Sequence, residues 1–182
     1  MARNTLHTLA AGLTVALCWA SGSVQAACEA AEHRQFDFWL GEWAVYAADG
    51  RLAGHNSIRS EYGGCVIHER YTTPSGRYAG QSLNSYDASR GLWHQSWVDS
   101  TGLLLLLDGR FVDGQMQLQG QARSAEGVVT QQRISWTAQP DGSVRQVWEQ
   151  QAPGADWVVV FDGRYVRQQA SRSRKGPRSA AP

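Results

Sequence analysis

Glycine-containing turn signals recur at nearly regular intervals along the chain. Nine of them lie between residues 49 and 154, and their glycines are 11 to 15 residues apart. Such pairs favour the positive φ angles that tight β-hairpins require, so the spacing predicts ten strands joined mostly as hairpins. The turn signals are Asp49-Gly50, Gly63-Gly64, Ser75-Gly76, Arg90-Gly91, Thr101-Gly102, Asp113-Gly114, Glu126-Gly127, Asp141-Gly142 and Pro153-Gly154.

The segments between these turns alternate with a period of two, as half-buried strands do. Met116 and Leu118 face one way, whereas Gln117 and Gln119 face the other. A meander of strands must close on itself or leave apolar edges exposed. We therefore expect an all-β fold, an antiparallel up-and-down (lipocalin-like) barrel of about ten strands, with a two-sheet sandwich as the alternative. A short N-terminal helix within residues 29–40 would plug or cap one end.

The N-terminus has the pattern of a secretory signal peptide. Arg3 precedes an apolar stretch from Leu9 to Ala20, and Val24-Gln25-Ala26 fits a small-x-Ala cleavage site. A buried core helix is the alternative interpretation. We expect residues 1–26 to be removed on export to the periplasm or the medium, which leaves no transmembrane anchor in the mature protein.

The remaining chain divides into a barrel domain, residues 27–166, and a C-terminal tail, residues 167–182. The tail is basic, contains no acidic residue and is poor in apolar residues, which predicts disorder. The barrel domain carries 11 basic and 16 acidic residues, so it lacks the positive charge of a nucleic-acid-binding protein. We expect a monomer whose partner is a small molecule.

Cleavage of the signal peptide would leave two cysteines, Cys28 and Cys65. An even number of cysteines in an exported protein favours a disulfide, which would tie the N-terminal segment to the barrel. Two free thiols are the alternative.

Several motifs resemble the DUF1579 family of bacterial secreted proteins. The segment from Phe36 to Trp43 reads FDFWLGEW and looks like the N-terminal signature of that family. Further matching pieces are Gly64-Cys65 followed by Glu69, the segment 80–87 and the segment from Trp93 to Asp99. The resemblance covers residues 28–167 and implies a calycin barrel similar to those of lipocalins, fatty-acid-binding proteins and nitrobindins. It implies no activity, because the family has none assigned.

Within this signature, Gly41-Glu42-Trp43 also fits the G-x-W motif of lipocalins. In those proteins the tryptophan closes the barrel floor beneath an arginine of the last strand. The resemblance implies that Arg164 or Arg167 stacks on Trp43.

No cofactor or metal is expected. Nitrobindins bind haem through a histidine in the C-terminal part of the barrel, and this chain has no histidine after His94. His55, His68 and His94 fall on the outward face of their strands, and the chain lacks C-x-x-C and H-E-x-x-H motifs. It also lacks the G-x-S-x-G motif of a nucleophilic serine.

Alternation assigns one face of each strand to the barrel interior, and that face carries the aromatic side chains. The opposite face carries arginines and glutamates that suit solvent. The predicted inward residues are Trp43, Val45, Asn56, Ile58, Tyr62, Ile67, Glu69, Tyr71, Tyr78, Ser82, Asn84, Tyr86, Trp93, Gln95, Trp97, Met116, Leu118, Gln132, Ile134, Trp136, Gln146, Trp148, Trp157, Val159 and Phe161.

Polar side chains among these aromatic residues predict a small-molecule site, because buried polar groups need partners. The candidate ligand-binding residues are Glu69, Tyr71, Ser82, Asn84, Tyr86, Trp93, Gln95, Trp97, Gln132, Trp136, Gln146 and Trp148. The first hypothesis is an exported barrel that binds a small molecule. The second is an isomerase, cyclase or hydrolase that uses Glu69 with Asn84 or Gln95. The third is a structural envelope protein whose barrel is filled by its own side chains.

Overall fold

The computed structural model describes residues 28–168, and the expected signal peptide and nearly all of the tail lie outside this range. The described chain forms a closed antiparallel barrel of ten strands, as the turn spacing predicts. Each strand pairs with the next along the chain, and the first pairs with the last. The strands are Gly41–Ala47 (β1), Leu52–Glu61 (β2), Val66–Thr72 (β3), Ala79–Asp87 (β4), Leu92–Asp99 (β5), Leu104–Val112 (β6), Gln115–Arg123 (β7), Val129–Ala138 (β8), Val144–Gln151 (β9) and Val158–Arg167 (β10).

The N-terminal segment closes one end of the barrel. It contains two short 3-10 helices, Ala31–Arg34 and Asp37–Trp39, in place of one regular helix. Phe36 and Trp39 are fully buried and stack on each other with their ring centroids 4.7 Å apart. Phe36 also meets Trp136 edge-on inside the barrel. The segment therefore acts as an aromatic plug, as the sequence predicts for this end.

Two further contacts hold this plug in place. The predicted disulfide between Cys28 and Cys65 is confirmed, with a Cα–Cα distance of 5.1 Å. The side chain of Arg34 donates to the carbonyl oxygens of Cys28 and Gly64. Because Cys65 precedes β3, the crosslink joins the start of the plug directly to the barrel wall. Disulfides of this type persist in oxidising compartments.

Trp43 seals the closed end from the first strand, and Arg167 is the arginine that stacks on it. The guanidinium carbon lies 4.4 Å from the centroid of the Trp43 ring, a cation–π contact. The guanidinium also donates to the carbonyl oxygen of Leu40, and the indole N–H of Trp43 donates to that of Trp39. Strand β10 thus extends through Arg167, one residue beyond the predicted end of the barrel domain at residue 166.

Side chains alternate between interior and exterior as expected over most of the barrel. Outward arginines form ion pairs with carboxylates on neighbouring strands, such as Arg133 with Glu149 at 2.6 Å. His68 also lies on the outer face, but the side chains around it, including Glu61 and Gln81, leave it only 9% exposed. Among residues 28–168, no helix is long and apolar enough to cross a membrane.

Three residues predicted to face inward do not. Tyr62 lies in a 3-10 turn, Tyr62–Gly64, with a positive φ of 51° and is 77% exposed. Val159 is 54% exposed and pairs with the outward Glu149, and Trp157 packs outside against Arg133. A register shift between Val159 and Phe161 explains the errors at Val159 and at Trp157, which directly precedes β10. One inserted residue in a strand means that positions two apart across the insertion no longer lie on the same face.

Replacing Trp43 with alanine should reduce the free energy of unfolding by about 3–5 kcal/mol, since it removes a fully buried indole and leaves a cavity. Chemical denaturation with urea measures this loss. Tyr46→Ala, on the partly exposed face of β1, is the control and should cost no more than about 1 kcal/mol. A similarly small loss for Trp43→Ala would contradict the sealing role of Trp43.

Candidate functional site

The barrel interior contains a cavity of about 260 Å³ at the end opposite the aromatic plug. Its mouth lies near the β3–β4, β5–β6 and β9–β10 turns, where Tyr78, Trp97 and Val160 line it. This volume lies just below the range of about 300–1,000 Å³ typical of small-molecule pockets, so it suits a compact occupant. The lining residues are Glu69, Tyr71, Tyr78, Gln95, Trp97, Leu105, Ile134, Trp136, Gln146, Trp148, Gln150, Val160, Phe161 and Tyr165.

Glu69 lies in the inner part of this cavity and is only 4% exposed. Its position midway along β3 places Ser82 of β4 directly opposite it in the antiparallel register. The Ser82 hydroxyl donates to Glu69 Oε2 at 2.6 Å, and the amide of Asn56 on β2 donates to Oε1 at 2.7 Å. Each carboxyl oxygen therefore has one neutral hydrogen-bond donor.

The polar contacts continue on both sides of Glu69. On one side, the Asn84 amide donates to Ser82 Oγ at 2.8 Å, and the Gln95 amide donates to Asn84 Oδ1 at 2.7 Å. On the other side, the Asn56 amide also contacts the Tyr165 hydroxyl, which donates to Gln146 Oε1. The network reaches from β5 to β9 and holds the Glu69 carboxyl in a fixed orientation.

Burial raises the pKa of Glu69 from its ordinary value of 4.5 to about 7, although the hydrogen bonds from Ser82 and Asn56 partly offset this effect. Among residues 28–168, no other carboxyl group lines the cavity. Burial also raises the pKa of Tyr71 and of Tyr165, and the nearby Glu69 charge adds to both shifts. Glu69 is thus the lining group that changes charge near neutral pH.

Aromatic rings form most of the cavity wall. Gly80 makes room for Trp97, because a methyl group at Gly80 would overlap the indole ring. The Trp97 indole N–H donates to Asp99 Oδ2 at 3.3 Å, and the Tyr78 hydroxyl donates to the same oxygen at 3.0 Å. Asp99 thereby fixes two aromatic side chains at the mouth.

Hydrogen bonds also fix the part of the cavity wall that β8 and β9 form. The Trp148 indole N–H donates to Gln132 Oε1 at 2.8 Å, and the Gln132 amide donates to Thr130. Trp136 lies deeper, and its buried indole N–H has no hydrogen-bond partner within residues 28–168.

The twelve candidate residues from the sequence fall into three groups. Seven of them line the cavity, namely Glu69, Tyr71, Gln95, Trp97, Trp136, Gln146 and Trp148. Ser82, Asn84 and Gln132 are buried behind the wall and hydrogen-bond to lining residues. Tyr86 and Trp93 lie at the closed end, where they contact His33, Gln35 and Phe36, so they are separate from the cavity.

Sequence analysis left some of the site residues out of the candidate set. Tyr165 follows Phe161 and Gly163 at a spacing of two, so alternation could have placed it inside. Alternation predicts that Asn56 lies in the interior, yet its contact with Glu69 depends on the β2–β3 register. Val160 enters the lining only because of the register shift in β10, which alternation does not predict.

Two further concavities, of about 490 and 910 Å³, lie on the outer surface. Both contain ion pairs between neighbouring strands, Arg133 with Glu149 in one and Arg145 with Asp162 in the other. The charges in these ion pairs compensate each other, so neither groove presents a buried carboxyl group without a counter-charge, as the cavity does. Within residues 28–168, no three His, Cys, Asp or Glu side chains come together in a group that could hold a metal ion.

No protein-family model matches the chain, and a search of curated proteins finds no significant match.

Glu69 should make stability depend on pH. The folded protein binds this proton more tightly than the unfolded chain, so the stabilisation is complete below pH 4.5 and is lost as the pH rises through about 7. The loss amounts to about 3 kcal/mol at 1.36 kcal/mol for each pKa unit. Glu69→Gln should remove this contribution, because the glutamine side chain does not titrate. The hydrogen bonding can be kept, since Asn56 Oδ1 has no partner within residues 28–168 and can accept from the new amide if the Asn56 amide rotates. Urea denaturation at pH 5 and pH 8 measures the difference.

Glu149→Gln is the matched control for this experiment. Glu149 lies on the outer face, and its pKa is lowered by hydrogen bonding to Arg133. It is therefore ionised at both pH values, and its variant should retain the pH dependence of the native protein. Equal pH dependence in the native protein and in Glu69→Gln would contradict the raised pKa of Glu69.

Proposed function

We propose that this protein is an exported, lipocalin-like barrel that binds a small molecule in its lumen. The observation that carries this proposal is the cavity itself, which contains a buried carboxyl group and aromatic walls. An open lumen argues against the alternative of a barrel filled by its own side chains.

Binding is favoured over catalysis by the arrangement around Glu69. General acid–base chemistry commonly uses a second titrating group near the reacting atoms. Here Glu69 contacts two neutral donors, Asn56 and Ser82, and the other titratable lining residues are tyrosines. The burial of Tyr165 and Tyr71 raises their pKa values and keeps them protonated at neutral pH. An enzyme that uses Glu69 with Asn84 or Gln95 remains the second hypothesis.

Export and the DUF1579 relationship belong to the same proposal. The disulfide between Cys28 and Cys65 supports an oxidising destination. The signature from Phe36 to Trp43 supports the relationship, because three of its four aromatic residues, Phe36, Trp39 and Trp43, build the closed end of a calycin-like barrel. The signal peptide of residues 1–26 stays a prediction.

A tryptophan at the cavity mouth should block binding. Val160 lines the cavity and is 46% exposed, so Val160→Trp can fill the mouth without displacing the core. Val158→Trp is the matched control, since Val158 is 60% exposed on the same strand and does not line the cavity. A thermal-shift screen of small uncharged and cationic aromatic molecules provides the measurement.

Ligands that enter the lumen should stabilise the native protein and Val158→Trp but not Val160→Trp. A ligand at about 100 times its Kd adds about 2.7 kcal/mol to the free energy of unfolding, which is readily detected. Equal responses in all three proteins, or no response from any of them, would contradict binding in this cavity.

A further inference from the structure

The side chains that line the cavity include an acidic group but no basic one. Its lining includes one carboxyl group, that of Glu69, and no Arg, Lys or His side chain. The eleven arginines of residues 28–166 point elsewhere, many of them into ion pairs on the outer wall, as Arg145 does with Asp162. The interior is therefore neutral when Glu69 is protonated and negative when it is ionised.

The ionised form of Glu69 has no compensating positive charge. Its two hydrogen-bond partners, Asn56 and Ser82, are neutral donors. A buried charge without a counter-charge is costly, and a cation placed beside it offsets much of that cost. An anion in the same cavity would bring two like charges together where screening by water is weak.

The walls also suit a positive charge. Trp97, Trp136 and Trp148 line the cavity around Glu69 together with Tyr71 and Tyr165. The faces of aromatic rings attract cations, most strongly those of tryptophan. An aromatic enclosure with one carboxylate therefore discriminates among ligands by charge as well as by shape.

We infer that the lumen site takes an organic cation, whose charged head lies against Glu69 and whose apolar part lies among the aromatic walls toward the mouth. This inference rests on the binding function proposed above and names the chemical class of the ligand.

Cation binding should weaken as the pH falls below about 7, because protonation removes the Glu69 charge. The other titratable groups that face Glu69 do not contribute to this pH dependence of cation binding. Tyr71 on its own strand, Tyr78 from the β3–β4 turn and Tyr165 on β10 all have raised pKa values and stay neutral. Beyond Tyr78, burial opposes ionisation of Asp99, but its hydrogen bonds with Thr101, Trp97 and Tyr78 outweigh this and lower its pKa.

Three probes of nearly the same shape test the inference. They are 2-phenylethylammonium, a cation, 2-phenylethanol, which is neutral, and phenylacetate, an anion. Isothermal titration at pH 8 should show that the cation binds the native protein at least about tenfold more tightly than the alcohol, and the anion most weakly. At pH 5, where 2-phenylethylammonium is still charged, the preference over the alcohol should shrink to within about twofold.

Glu69→Gln should lose the preference for the cation over the alcohol. Glu149→Gln, changed on the outer wall, should keep that preference. If the alcohol or the anion binds as tightly as the cation, or if Glu69→Gln keeps the preference, the inference is wrong although the cavity still binds ligands. If none of the probes binds, or if Val160→Trp binds them equally well, the proposed lumen site fails as well.

Discussion

Closing ten antiparallel strands into a barrel creates an interior that the chain must fill or leave available to another molecule. Barrels of eight strands already have an interior wide enough to be filled by side chains or to hold one small ligand. This chain fills one end with the plug formed by its N-terminal segment, where Phe36, Trp39 and Trp43 are fully buried. The other end has no such segment within residues 28–168, and the cavity lies there. The position of the site thus follows from which end the plug occupies.

The cavity matters chemically because a carboxyl group is buried in it without a positive partner. Ser82 and Asn56 stabilise the charged form of Glu69, but burial outweighs them and holds its pKa near 7. A structural role alone would be served by an amide at this position, which makes similar hydrogen bonds without the cost of a buried charge. A ligand that supplies the missing positive charge offsets the free-energy cost of burying this carboxylate. The electrostatics of Glu69 therefore point to the proposed class of ligand.

The architecture could be predicted from sequence because it depends on local signals. Glycines at the turns set the strand number, and alternation placed Glu69, Gln95 and Trp97 on the inner face. Alternation fails where the register changes, as at Val159 in β10, because the period-two pattern of the sequence does not reveal where a single residue is inserted. Alternation also does not distinguish the two ends of the lumen. It therefore groups Trp93 with the cavity, although Trp93 packs against the plug. Those distinctions depend on strand pairing and on the path of the N-terminal segment.

The pKa of Glu69 can be measured directly by following its side-chain carboxyl 13C chemical shift by NMR, with Glu69→Gln used to assign the signal. The structure predicts a titration midpoint near pH 7, because burial disfavours the charged form. Adding an organic cation that binds in the lumen should move this midpoint to lower pH. A midpoint near the ordinary value of 4.5, unchanged by such a ligand, would contradict the account of a buried, uncompensated carboxyl group at the centre of the site.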